Sequence, residues 1–167
     1  MNEEVKILIE SITSNDNYNK MKNYIAHGNI SCYEHCYNVA IACYSFVLKY
    51  NIKCNMEDLI IGSLLHDYYL YDWHEKDNGI SLHGYKHHKY AMKNAIRDFN
   101  INKRQQKIIY SHMFPLTFWT IPIYKEAWIV NLFDKVLAVK EINKLNYIIN
   151  KIPSTIYNIM FILIGIK

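Results

Sequence analysis

The run Leu59-Ile60-Ile61-Gly62-Ser63-Leu64-Leu65-His66-Asp67 decides how this chain folds. Up to Leu65 it has no charge and no polar face, so as a helix it must be buried on all sides. It then ends on an imidazole beside a carboxylate, two groups that can share one metal ion. His35 stands upstream of this pair, and His87, His112 and Asp134 stand downstream. The set is nitrogen and oxygen without thiolate, which suits a hydrolytic metal better than a structural zinc.

Working outward, Asn55-x-x-Asp58 opens the helix that carries this run. The helix before it opens on the capping box Ser31-x-x-Glu34. There His35, Val39, Cys43, Phe46 and Tyr50 recur at helical spacing, so His35 faces inward with the core. Residues 68–84 are aromatic, charged and without period, and read as a loop. Helices follow over about 85–99, with His87, Ala91 and Ala95 on one stripe, and over about 102–112, capped by Asn102-x-x-Gln105. Pro115 and Pro122 bound a loop carrying Phe118 and Trp119. A long helix over about 124–150 then puts Ala127, Val130, Asp134, Leu137, Ala138 and Glu141 on one face. Shorter helices are expected over 3–12 and 21–26, with an apolar one over 156–166 after Pro153. No strand shows alternation. The expectation is an all-α, single-domain helical bundle spanning 1–167, with its motif-bearing core over about 31–141.

Composition narrows the function. With 167 residues and 51% hydrophobic content the chain can build one sizeable core, which excludes a disordered protein. A formal charge of +4, scattered rather than blocked, permits an anionic substrate but indicates no nucleic acid. Met1-Asn2-Glu3-Glu4 begins an acidic amphipathic segment, not a signal peptide, and no apolar stretch approaches the roughly 20 residues of a membrane span. A cytoplasmic protein is expected. The cysteines at 32, 36, 43 and 54 fall mostly on one helix, where mutual disulfides are awkward. Cys32, His35 and Cys36 lack a second half for a zinc site, so buried thiols are expected.

Asp134 is the most telling single residue. Its face is otherwise aliphatic, and a carboxylate buried there without a partner costs several kcal/mol, a setting that asks for a cation. His74, His83 and His88 are expected at the solvent or the rim, and His27, before Gly28, in a structural turn.

The order His35, His66-Asp67, Asp134, the last within Leu132-Phe133-Asp134-Lys135, resembles the HD-domain metal-dependent phosphohydrolase superfamily. The resemblance spans about residues 31–141. It implies that His35, His66, Asp67 and Asp134 hold one metal. It also implies that His87 and His112 complete a second, with Asp67 bridging the two and serving as the catalytic residue. His87-His88 stands where the family often has His-Pro, which leaves both histidines as candidates for that ligand. Tyr68-Tyr69-Leu70 replaces a common Gly-Lys, so no lysine role carries over from there. The implied cofactor is one or two divalent ions among Mn, Fe, Co, Mg or Zn. The implied reaction is hydrolysis of a phosphoester, of a nucleotide or phosphorylated small molecule, by a metal-activated hydroxide. Lys86, Lys89 and Lys135 flank these ligands and are candidates for phosphate contact; Trp73, Phe118 and Trp119 are candidates for stacking on a base. Two other readings stand beside this one: a metal-binding regulatory or interaction domain without turnover, and a di-iron oxygenase on the same scaffold.

Overall fold

The computed structural model describes residues 1–75 and 81–142. Its elements run α1 (Glu3–Thr13), α2 (Asp16–Asn19), a 3-10 turn (Lys20–Asn23), β1 (Ile25–His27), β2 (Ile30–Ser31), α3 (Cys32–Lys49), α4 (Met56–Leu65), α5 (His83–Phe99), α6 (Lys103–Ser111) and α7 (Lys125–Glu141). The chain is helical, as its patterning requires. The apolar segment 156–166 and the later part of the long helix expected over 124–150 lie outside the described residues. Within them, α7 stops at Glu141, because Ile142 turns to extended backbone.

Helix α4 is the hub. Every residue from Asp58 to Leu65 is buried, as a helix without a polar face demands. Ile60, Ile61, Leu64 and Leu65 share one core cluster with Val5, Ile9 and Ile12 of α1 and Ala91 and Ala95 of α5. Leu59 joins a second cluster with Val39, Cys43 and Val47 of α3, Ile108 of α6 and Ala127, Ile129 and Val130 of α7. The position of α4 therefore fixes where its last turn, and the His66-Asp67 pair beyond it, can lie.

The helix starts are the ones the caps predict. Ser31 Oγ accepts from the Glu34 amide while the Glu34 carboxylate accepts from the Ser31 amide, closing the capping box of α3. Asn102 and Gln105 do the same for α6. These caps also tie elements together, since the buried Asp58 carboxylate accepts from Asn102 Nδ2 at 2.7 Å and Gln105 Nε2 at 3.0 Å. The first turns of α4 and α6 are thus pinned side by side.

The expected helix over 21–26 is not formed. A 3-10 turn ends at Asn23, and residues 25–31 make an antiparallel hairpin in which Ile25 pairs with Ser31. The reason is Gly28, which turns the chain at φ +58 beside Asn29, a dipeptide that favours a tight hairpin over a helix. A side chain at Gly28 would collide with the Glu141 carbonyl, so the hairpin turn packs directly on the end of α7.

Close approach of α4 and α6 depends on Gly62, where an added Cβ would lie 2.6 Å from Ile108 Cγ2. Gly62→Ala is therefore expected to destabilise the fold by about 1–3 kcal/mol in chemical denaturation, and Ile108→Ala by about 2–5 kcal/mol. The double variant should lose clearly less than the sum, because Ala at 108 vacates the space; strict additivity would refute the close contact.

Candidate metal centre

Five helices deliver the polar residues to one buried place. His35 lies in the first turn of α3, His66 and Asp67 follow α4, His87 is one turn into α5, His112 follows α6, and Asp134 lies midway along α7. All six are buried.

Each imidazole is held by its outer nitrogen. Nδ1 of His66 donates to the Ser63 carbonyl at 2.7 Å, Nδ1 of His87 to the His83 carbonyl at 3.0 Å, and Nδ1 of His112 to the Ile109 carbonyl at 2.7 Å. Carbonyl oxygens only accept, so these Nδ1 atoms carry the hydrogens and leave the Nε2 lone pairs facing inward in the neutral ring. In His35, Nδ1 instead meets Glu141 Oε2 at 2.7 Å. A carboxylate or carbonyl behind the ring is the usual support of a ligating histidine.

The inward nitrogens converge on two carboxylates. His35 Nε2 is 3.2 Å from Asp134 Oδ1; His66 Nε2 is 3.6 Å from the same atom and 3.7 Å from Asp67 Oδ2. His87 and His112 approach the other oxygen of Asp67, at 3.2 and 3.3 Å from Oδ1. Their own Nε2 atoms stand only 2.8 Å apart. Ligand atoms of His35, His66, Asp67 and Asp134 lie within 4.8 Å of one another, as do those of Asp67, His87 and His112. Asp67 belongs to both groups.

Lone pairs and anionic oxygens this close need a cation among them. Two buried atoms make the point directly: His66 Nε2 and Asp67 Oδ1 have no hydrogen-bond partner, a rare and costly condition for buried polar groups. The nitrogen and oxygen donor set fits a divalent ion of the harder or borderline kind. Charge preferences agree. Burial pushes the Asp67 carboxyl up, but the imidazoles of His66, His87 and His112 hold it well below the usual carboxylate range. Asp134 is held down likewise, against burial, by His35 and His66. Burial pulls His35 toward neutrality, yet its bonds to Asp134 and Glu141 lift it to about 10. The place favours positive charge, and the C-terminal ends of α4 and α6 point toward it with the same preference.

Of the two adjacent histidines, His87 joins the cluster. His88 turns the other way, fully buried against the Tyr110 ring at 5.0 Å with neither ring nitrogen bonded. The expectation of a solvated or rim position for His88 is therefore wrong, because the apolar stripe of α5 reaches one residue further round the helix. His74 is exposed, as expected. His83 does not lie idle at the rim: it lines the cavity that opens onto the cluster, as does His27. Cys32 and Cys36 are buried free thiols outside both groups, and burial raises Cys36 to about 11, so it offers no thiolate.

The cavity measures about 280 Å³ and is bounded by Trp73, His83, Met113 and Lys135 around Asp67 and Asp134. Of the flanking lysines, Lys135 alone lines it; its Nζ donates to the His112 carbonyl at 2.6 Å and lies 3.5 Å from Asp134 Oδ2. Lys86 instead bonds Ser81, and Lys89 is exposed. Trp73 lies against the rings of His74 and His83, with centroids 3.8 and 5.1 Å away, so its ring already has two aromatic partners. Phe118 and Trp119 are 70% and 52% exposed and lie off the cavity.

Glu141 is the supporting residue that the ligand pattern alone does not reveal. The signal was present: it stands two turns beyond Asp134 on the same face of α7.

A family model described as HD domain matches residues 32–139. No curated protein and no solved structure matches the chain.

Elemental analysis of the purified protein tests the two-group geometry. Two divalent ions per chain are expected, one in His112→Ala, and fewer than one in Asp67→Ala. Glu141→Ala should keep the fold but weaken metal affinity roughly 10- to 100-fold. Unchanged metal content in Asp67→Ala would contradict the shared carboxylate.

Proposed function

We propose that this chain, which belongs to the HD-domain family, is a metal-dependent phosphohydrolase acting on the phosphoester of a nucleotide or other small phosphorylated molecule. The observation that carries the reading is the pair of buried lone-pair atoms without a partner, His66 Nε2 and Asp67 Oδ1, set between two ligand groups that share Asp67 and open onto a cavity with a lysine in its wall.

In this reading His35, His66, Asp67 and Asp134 would hold one ion, and Asp67, His87 and His112 a second. A divalent ion, when bound, supplies a water acidic enough to attack phosphorus near neutral pH and charge that offsets the phosphoryl oxygens. The remaining work belongs to side chains. Asp67 ties the two groups together and is the residue whose loss should cost most. Glu141 fixes the ring of His35, and the three backbone carbonyls fix the other rings, so no ligand has to reorient during reaction. Lys135 is anchored by the His112 carbonyl with its ammonium at the cavity wall, where it suits a phosphoryl oxygen as a fixed positive charge. Met113, Ala26 and Ala138 give the wall an apolar part that excludes water. The cavity volume of about 280 Å³ favours a small phosphoester over one with two nucleosides.

The test is turnover of a phosphoester panel with and without added manganese. Activity that is lost to a chelator, restored by metal and reduced at least about 100-fold in Asp67→Ala is expected, the scale for a group that holds the catalytic charge. Full activity in that variant would contradict the assignment. Oxygen consumption with stoichiometric iron, and no phosphoester cleaved, would replace it with the oxygenase reading.

A further inference from the structure

His83 is a polar side chain in the cavity wall to which neither ligand group gives a role. It starts α5 one turn before His87, and residues four apart on a helix lie over one another. The two rings are stacked at 4.6 Å and 17°. Trp73 closes the far side of His83 at 5.1 Å and 19°, and its own indole N–H is fastened to the Ile25 carbonyl at 3.0 Å. His83 therefore cannot swing without displacing two aromatic neighbours. The backbone that delivers it is strained as well. Leu82, just before it, sits at φ +59 and ψ 49, left-handed for a bulky non-glycine residue. Such strain collects where a side chain must be aimed.

The ring's orientation is defined by Tyr71, whose hydroxyl lies 2.9 Å from His83 Nδ1. A phenol is the better donor of the two, so the hydroxyl donates, Nδ1 accepts, and Nε2 carries the hydrogen. Among the described residues Nε2 has no hydrogen-bond partner. A donor fixed in the wall that Lys135 also lines, and stacked on His87, suits an acceptor that arrives from solution.

We propose that His83, held in place by Tyr71 and Trp73, donates an Nε2 hydrogen bond to an oxygen of the substrate's phosphoryl group and so forms, with Lys135, the phosphate clamp of this site. The proposal rests on the phosphohydrolase reading given above. It identifies the ligand portion as an oxyanion with several oxygens, because two separate donors line the one small cavity. His83 contacts substrate in this scheme, and Tyr71 is a positioning residue.

The experiment is calorimetric titration of the manganese-loaded protein with inorganic phosphate, run beside metal analysis and steady-state kinetics on a simple aryl phosphate. His83→Ala should weaken phosphate binding and raise KM about tenfold or more, the scale of a lost hydrogen bond to a charged group, with metal content at the wild-type level. His83→Gln, which keeps a nitrogen donor, should recover most of that loss. Tyr71→Phe should fall between, with KM affected more than kcat. Unchanged phosphate affinity in His83→Ala overturns the proposal, and so does a loss that tracks metal content, which would make His83 a support for His87. If wild-type protein loads metal yet neither binds phosphate nor cleaves the aryl ester, the phosphohydrolase reading itself fails, a result distinct from any difference among the variants.

Discussion

Four imidazole lone pairs and two carboxylates face one another at the buried end of a cavity, and the rest of the structure is arranged around that electrostatic demand. Such a group is unstable by itself, since an uncompensated buried charge costs several kcal/mol even after relaxation. It persists only with positive charge among its members, whether protons or metal ions. Nearly every buried polar contact in this half of the molecule can be read as a response. Glu141 backs His35, Lys135 leans on Asp134, and Asn131 Nδ2 holds the His112 and Phe114 carbonyls at 2.6 Å each.

The scaffold meets the demand through a helix that is itself almost featureless. With no polar face, α4 has no preferred side, so α1, α3, α5, α6 and α7 all pack on it. That makes its end the one point common to several helices. Chemistry placed there is reached from every direction, which is how residues from His35 to Asp134 meet across a large separation in sequence. The pinning of Asp58 to Asn102 and Gln105 sets α4 and α6 in register, and so sets His66 and His112 at comparable depth.

Much of this was legible in the sequence because it is local. Caps, apolar period and the inward placement of Asp134 are written in residues three to seven apart, and the helix starts follow them closely. What escaped was decided by contacts between distant segments or by small backbone effects. The hairpin at 25–31 hinges on Gly28, a two-residue signal overshadowed by the polar composition around it. His88 is buried, against expectation, because a helix stripe wide enough to bury Ala91 and Ala95 also buries its neighbour. His83 belongs to the cavity only because Tyr71 and Trp73 fold back over it from a loop without period. The choice between His87 and His88 needed the azimuth of α5, which no spacing rule supplies. The function reading came from the same long-range order of ligands, and that order is also the part of the chain the HD-domain family model spans.

The bonds that orient His66 and His112 carry one more consequence. Each ring occupies the residue just past the end of its helix and takes a carbonyl that the last turn leaves without an amide, in α4 that of Ser63 and in α6 that of Ile109. The Tyr18 hydroxyl satisfies the adjacent Leu64 carbonyl in the same way. The imidazole is thus a C-cap on one side and a donor atom on the other, and a single hydrogen bond both stops the helix and aims the ligand. Helix length and site geometry are consequently one variable in this protein. Lengthening α4 or α6 by a residue would carry the cap, the ring and the inward lone pair about 100° round the axis together, so the site constrains where these two helices end as firmly as packing constrains what they contain.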